Sequence, residues 1–159
     1  MAFDKAKGYL EEKGYADRVK EFDVSSATVE LAAIAVGTQP ERIAKSLTFM
    51  VEDKAVMIIC AGDAKIDNSK FKGCFHTKAK MLTPEEVEAL VGHSIGGVCP
   101  FGIKEGVRVF LDESLKRFDI VYPACGSSNS AVELSCDELE SLSACEAWID
   151  VCKNWDAVS

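Results

Sequence analysis

Several chemistries are excluded by what the chain does not contain. It has only two histidines, His76 and His93, neither with a cysteine or carboxylate at ligand spacing, and its cysteines form no C-x-x-C pair. A zinc centre is therefore not expected, and neither is any other metal or cofactor. No serine sits in G-x-S-x-G, and the glycines from Gly92 to Gly97 lack the order of a P-loop or a dinucleotide fingerprint. No apolar run approaches the ~20 residues of a bilayer span, so no membrane association is expected. The first residues mix Asp4, Lys5 and Lys7 without an apolar signal core. Basic charge is scarce: 18 Lys and Arg stand against 26 Asp and Glu, a net charge of −8. That balance argues against a broad phosphate-neutralising surface but leaves room for a small basic mouth at one site.

What is present reads as a globular chain. At 159 residues, 48% hydrophobic and 28% charged, one domain over 1–159 is the expectation. The seven cysteines are scattered and odd in number. Without a secretory signal they read as reduced thiols of a cytoplasmic protein, mostly small core residues. Cys99 and Cys125 lie beside glycine-rich turns, where a reactive thiol is a second reading.

Periodicity predicts a helix from residue 3, interrupted near Gly14, with 17–22 either continuing it or extended. A helix follows over Thr28–Val36, capped after the Asp23–Ser26 cluster and stopped by Gly37, and then a single turn at Pro40. Residues 45–51 alternate Leu47, Phe49 and Val51 with Ser46, Thr48 and Met50. With the apolar run 55–61 they read as a hairpin around Glu52-Asp53-Lys54. A short helix is expected over 69–72, and a strongly capped one from Thr83-Pro84-Glu85-Glu86, closed by Gly92. Strands are expected at 107–112, 119–124, 130–134 and 148–152, with a short helix over 113–117 and another capped by Asp137. Strands and helices mix without regular alternation. The expected class is α/β of the α+β kind, a curled mixed sheet with helices packed outside.

Between two well-patterned halves lies His93-Ser94-Ile95-Gly96-Gly97-Val98-Cys99-Pro100-Phe101-Gly102. Its glycines permit close backbone approach and Pro100 fixes a turn, so it is either a wall facing a ligand or an ordinary connection. Lys45, which opens the alternating strand, either projects into a cleft or snorkels at the surface. The turn Gly126–Ser130 is equally an anion cradle of main-chain amides or a plain turn. His76 and His93 read as surface or capping histidines.

Taken in order, Ala44-Lys45-Ser46-Leu47, Ala61-Gly62-Asp63, Leu82-Thr83-Pro84-Glu85-Glu86-Val87, Gly96-Gly97-Val98-Cys99-Pro100-Phe101-Gly102, the strand to Leu111-Asp112, and Gly126 leading to Glu133-Leu134 resemble the YbaK/ProX family. These are aminoacyl-tRNA deacylases related to the editing domain of bacterial prolyl-tRNA synthetases, and the resemblance covers roughly residues 25–142. It implies a curled mixed sheet or open barrel surrounded by helices. It implies hydrolysis of the ester joining a wrong amino acid to tRNA, such as cysteine or another small residue on tRNA(Pro). The family's lysine falls on Lys45 and its G-x-x-x-P loop on Gly96–Pro100. Lys45 and Gly96 are then the catalytic candidates, and Gly97, Pro100, Ser94, Gly126 and Asn129 the substrate-binding ones. Mischarged tRNA and prolyl-tRNA synthetase are the implied partners; a homodimer stays open. One departure stands out: some members carry an acidic residue where this chain has Ala131. A noncatalytic binding module for an aminoacyl or nucleotide ligand is the alternative reading.

Overall fold

The computed structural model describes residues 2–94 and 96–155. Helix α1 (Ala2–Glu12) ends in a turn at Gly14, and strand β1 (Val19–Glu21) follows. Residues 17–22, open between helix and strand from periodicity, thus become extended after one 3-10 turn. Helix α2 (Val29–Val36) is capped by Thr28 itself and not by the Asp23–Ser26 cluster: Thr28 Oγ1 accepts from Leu31 N–H, and Gly37 adopts the left-handed conformation that ends it, as expected.

Next come strands β2 (Ile43–Val51) and β3 (Lys54–Ala61), the predicted hairpin. Glu52 and Asp53 both have positive φ, 50° and 64°. This is the turn hand that matches the twist of paired strands. The short strand β4 (Lys65–Ile66) follows, where periodicity announced no strand. Helix α3 (Asn68–Phe75) is longer than expected because Asp67 caps its start, accepting from Ser69 and Lys70 N–H. Helix α4 (Pro84–Leu90) carries the full capping box between Thr83 and Glu86.

Strands β5 (Arg108–Asp112) and β6 (Ile120–Pro123) match the sequence reading. The strand expected at 130–134 is two pieces, β7 (Ser130–Val132) and β8 (Leu134–Ser135), which serve different sheets. Helix α5 (Cys136–Ser143) is capped by Ser135 rather than Asp137, since the Ser135 hydroxyl accepts from Glu138 N–H. The expected last strand also divides, into β9 (Ala147–Ile149) and β10 (Cys152–Lys153).

Six strands form the main sheet in the order β8-β6-β2-β3-β5-β9. It is mixed: β2–β3 and β6–β8 are antiparallel, while β2–β6, β3–β5 and β5–β9 are parallel. The sheet curls strongly into a half-barrel, with helices around it. Two further antiparallel ribbons, β1–β7 and β4–β10, form separate two-stranded sheets. Strand β3 has partners on both sides and is buried from Ala55 to Ala61, which is why it reads as one uninterrupted apolar run. Helix α3 adds Phe71 and Phe75 to a row of rings running from Phe49 to Phe110, with centroids 4.9, 4.7 and 5.2 Å apart. Helix α1 buries Ala6 and Leu10 and is pinned to α5 by Tyr9, whose hydroxyl donates to Leu142 O at 2.6 Å. Among the described residues no helix is long and apolar enough to cross a membrane.

Candidate functional site

The site begins where the sheet fails to close. Strand β2 pairs with β6 only at Ile43–Tyr122 and Ala44–Pro123. The ladder ends at that pair. Further along, the same edge of β2 is taken up by another segment, with Leu82 N–H donating to Thr48 O and Met50 N–H to Lys80 O. Between these two pairings no described segment pairs with the edge around Ser46, which is open there. Since main-chain groups alternate along a strand, and those of Thr48 and Met50 point to this edge, the N–H and C=O of Ser46 point to it too.

A cavity of about 290 Å³ fills the gap. The β2 residues Ile43 to Thr48 form one wall, and Ala27, Val29 and Ala32 of the α2 region another. Tyr122, Ala124, Ser130 and Ala131 close the far side, with Gly96 and Val98 at the loop end. The described lining holds no carboxylate, histidine or cysteine; Lys45 is its one ionisable group apart from the Tyr122 phenol. Burial pushes the Tyr122 phenol above its ordinary value, so it stays neutral. The Ser46 hydroxyl oxygen is buried against this space and has no hydrogen-bond partner among the described residues.

Lys45 therefore faces a cleft rather than snorkelling. Its Nζ donates to Gly62 O at 3.4 Å and to Ala64 O, at the turn that leaves β3. An ammonium has three donors, so two carbonyls orient it and leave one for a ligand.

The structure brings Lys45 and Gly96 to one cavity. Gly96 has φ +98°, and a Cβ there would lie 3.4 Å from Ala27 Cβ and 3.6 Å from Ser128 Cβ. It occupies a narrow slot between the α2 approach and the 126–130 turn. Gly97 and Gly126 stand behind it, against each other: a Cβ on Gly97 would be 2.5 Å from Ser127 N and 2.7 Å from the Gly126 carbonyl carbon. Gly126 is itself left-handed and backs onto Ala2 O. Asn129 is a clamp, its side-chain amide donating to Phe22 O at 3.1 Å while its main-chain carbonyl accepts from Phe22 N–H at 2.8 Å. Pro100 is buried behind the loop. Ser94 is exposed and donates to Glu88 Oε1 at 3.2 Å. Ile95 lies outside the described residues.

His93 corrects an expectation. It is fully buried, not a surface or capping residue, and its Nδ1 accepts the Cys99 N–H at 3.2 Å. The loop folds inward because Phe101, also fully buried, stacks on Tyr9 and draws the chain with it. Burial pushes the Cys99 thiol far above its ordinary range and the Cys125 thiol up to about 12. Neither lines the cavity, so the reactive-thiol reading finds no support there.

Sequence reasoning did not single out Ser46, Thr48 or Tyr122 as site residues, and it offered Ser130 only as part of the possible anion-cradling turn. Two signals were available. Ser46 follows Lys45 at the head of an alternating strand, and Tyr122 lies at the end of an apolar strand, just before a proline and a glycine-rich turn.

Comparison with known proteins agrees with this architecture. The model of the aminoacyl-tRNA editing domain family matches residues 23–142. An uncharacterized protein of Bacillus subtilis, YwhH, is 56% identical over 139 residues, 87% of this chain and 88% of that one. A proline–tRNA ligase of Geobacillus sp. is 31% identical over 102 residues, 64% of this chain but 18% of the ligase, so the chain corresponds to under a fifth of that enzyme. A crystal structure described as a proposed trans-editing enzyme for prolyl-tRNA synthetase superimposes with a TM-score of 0.86. It is 31% identical and covers 96% of this chain and 97% of its own. The matched span, over most of the chain, and the shared curled fold show that the chain belongs to the aminoacyl-tRNA editing domain family.

Proposed function

We propose that this protein is a trans-acting aminoacyl-tRNA deacylase. It hydrolyses the ester between a wrongly attached small amino acid and the terminal adenosine of tRNA(Pro), with cysteine or a residue of similar size as the amino acid. The observation that carries the reading is the lysine at the open strand edge: Lys45 Nζ, held by two carbonyls, beside the free main-chain groups of Ser46. An ester carbonyl becomes an oxyanion as water attacks. The third Lys45 donor and the Ser46 N–H are the groups that stabilise it. The carbonyl carbon gains the water oxygen and loses the ribose oxygen, which leaves with a proton. The described lining offers no histidine, carboxylate or thiol to move that proton. The vicinal ribose hydroxyl of the tRNA itself is the relay. Walls of Val29, Ala32, Ile43 and Val98 fit a small apolar side chain, but volume alone discriminates only about 1–3 kcal/mol per methylene. The acidic chain binds free tRNA weakly, so prolyl-tRNA synthetase delivers the RNA.

The test is a panel of mischarged tRNA(Pro) species (cysteinyl, alanyl and others), with and without the synthetase. Release of at least one amino acid is expected; release of none with the synthetase present would overturn the reading. Ala131 lines the cavity where an acidic residue would hold the substrate's ammonium, and this favours one alternative, a noncatalytic binding module. Thermal stabilisation by an aminoacyl-adenosine analogue, combined with no release, would select it.

A further inference from the structure

A second cavity, of about 330 Å³, adjoins the first and shares Lys45, Leu47 and Met81 with it. Its other walls are Phe49, Lys65, Ile66, Asn68 and Ala79. In a chain of net charge −8, both ionisable groups on these walls are lysines. The carboxylates closest to Lys65 in sequence are engaged elsewhere. Asp63 pairs with Arg117 at 2.6 Å, and Asp67 caps α3. Lys65 itself makes no ion pair among the described residues. Met81 is 57% exposed at the boundary between the cavities, an apolar ledge beside two cations and an amide.

We propose that this groove holds the nucleotides at the 3′ end of the RNA, Lys65 pairing with the phosphodiester that precedes the terminal adenosine, Asn68 bonding beside it, and Met81 with Ile66 supporting a base. The assignment rests on the deacylase reading above, and continuity carries it further than charge alone. A ligand with its ester at Lys45 has its acyl group in the first cavity, and the groove that shares Lys45 with it gives adjoining space for ribose and phosphate. An acidic peptide would also meet the lysines, but it would leave that continuity and the apolar ledge without a purpose. Contacts to the phosphate are equal in ground and transition states. Lys65 therefore sets KM and not kcat, and acts as a positioning residue.

The test uses the intact chain and probes that carry no amino acid: the dinucleotide cytidylyl-adenosine, adenosine 5′-monophosphate and adenosine, titrated by NMR at low and high salt. Cytidylyl-adenosine should shift Lys65, Ile66, Asn68 and Met81, bind more tightly than the other two, and weaken with salt. Lys65→Ala should weaken it about three- to fivefold, the scale of one exposed ion pair. With a charged tRNA the same variant should raise KM by a similar factor at unchanged kcat. Shifts confined to the first cavity, equal affinity for adenosine or its monophosphate, or an unaffected Lys65→Ala variant would overturn the proposal. Lys65-dependent binding of the dinucleotide without hydrolysis of any mischarged tRNA would sink the deacylase reading while the groove stands.

Discussion

The ammonium of Lys45 donates to the carbonyl of Gly62, and Gly62 can hold that carbonyl in place only because it has no side chain. A Cβ at position 62 would lie 2.0 Å from Pro40 O and 2.7 Å from Val29 Cγ1. The lysine's anchor and one wall of the cavity are thus packed against each other. Gly62→Ala should lose about 1–3 kcal/mol of stability to overpacking and should lower deacylation further than the unfolded fraction explains. Thermal melts beside single-turnover rates separate the two effects.

Lys45→Ala should lower the hydrolysis rate about 10²- to 10³-fold, the usual scale for losing one oxyanion donor, with the fold retained. Lys45→Met, which keeps the stem and removes the charge, should be equally slow. Circular dichroism and release of the amino acid from charged tRNA check both; full activity in either variant would remove the lysine from the chemistry.

The elements that were legible in the sequence are those where local chemistry decides. Thr83 with Glu86, and Thr28 with Gly37, announce their helices because caps act within a few residues. The alternation of β2 and the apolar run of β3 announce the hairpin for the same reason. The resemblance supplied Lys45 and Gly96 as a pair, which no spacing could have joined across fifty residues. The gap in the sheet was not legible. It depends on which strand meets β2, and the Ala44–Pro123 pairing is a long-range fact. The divided strands failed for a similar reason: the residues of β7 and β8, and of β9 and β10, are neighbours in sequence but pair in different sheets.

Buried His93 should make stability depend on pH. Burial is the main cause that pushes its pKa below the ordinary 6.5, with Lys5 adding to it. The unfolded chain takes up this proton near pH 6.5 while the folded chain resists it, so stability falls as pH drops below 6.5. Glu138, held below 4.5 chiefly by its hydrogen bond from Arg18, acts in a separate window, since its contribution is lost only as pH falls below 4.5. His93→Asn keeps an acceptor for the Cys99 N–H and removes the titration. Melting temperatures between pH 7 and 5 should slope for the natural chain and flatten for the variant; equal slopes would clear His93.

The hairpin turn offers a stabilising change. Glu52 and Asp53 occupy left-handed conformations that Asn and Gly adopt more easily. Glu52→Asn with Asp53→Gly should raise stability by about 0.5–2 kcal/mol in denaturant titrations, without changing hydrolysis.

The thiols should react in order of exposure. Cys74 is exposed, Cys136 and Cys145 are half-buried, and Cys60, Cys99, Cys125 and Cys152 are buried. A disulfide reagent should label Cys74 first in the native protein and all seven only in denaturant. Cys99→Ser and Cys125→Ser should keep the hydrolysis rate.

The cavity takes its walls from residues 26–32, 43–48, 81–82, 96–98 and 122–131, spread over most of the chain. During synthesis the hairpin can form early, since its contacts are local. The far wall arrives only when Tyr122 to Ala131 have left the ribosome. A nascent chain halted short of them would hold its central strands and its lysine, yet have nothing to close on an ester. Competence in this molecule therefore waits for its last wall, however early the hairpin forms.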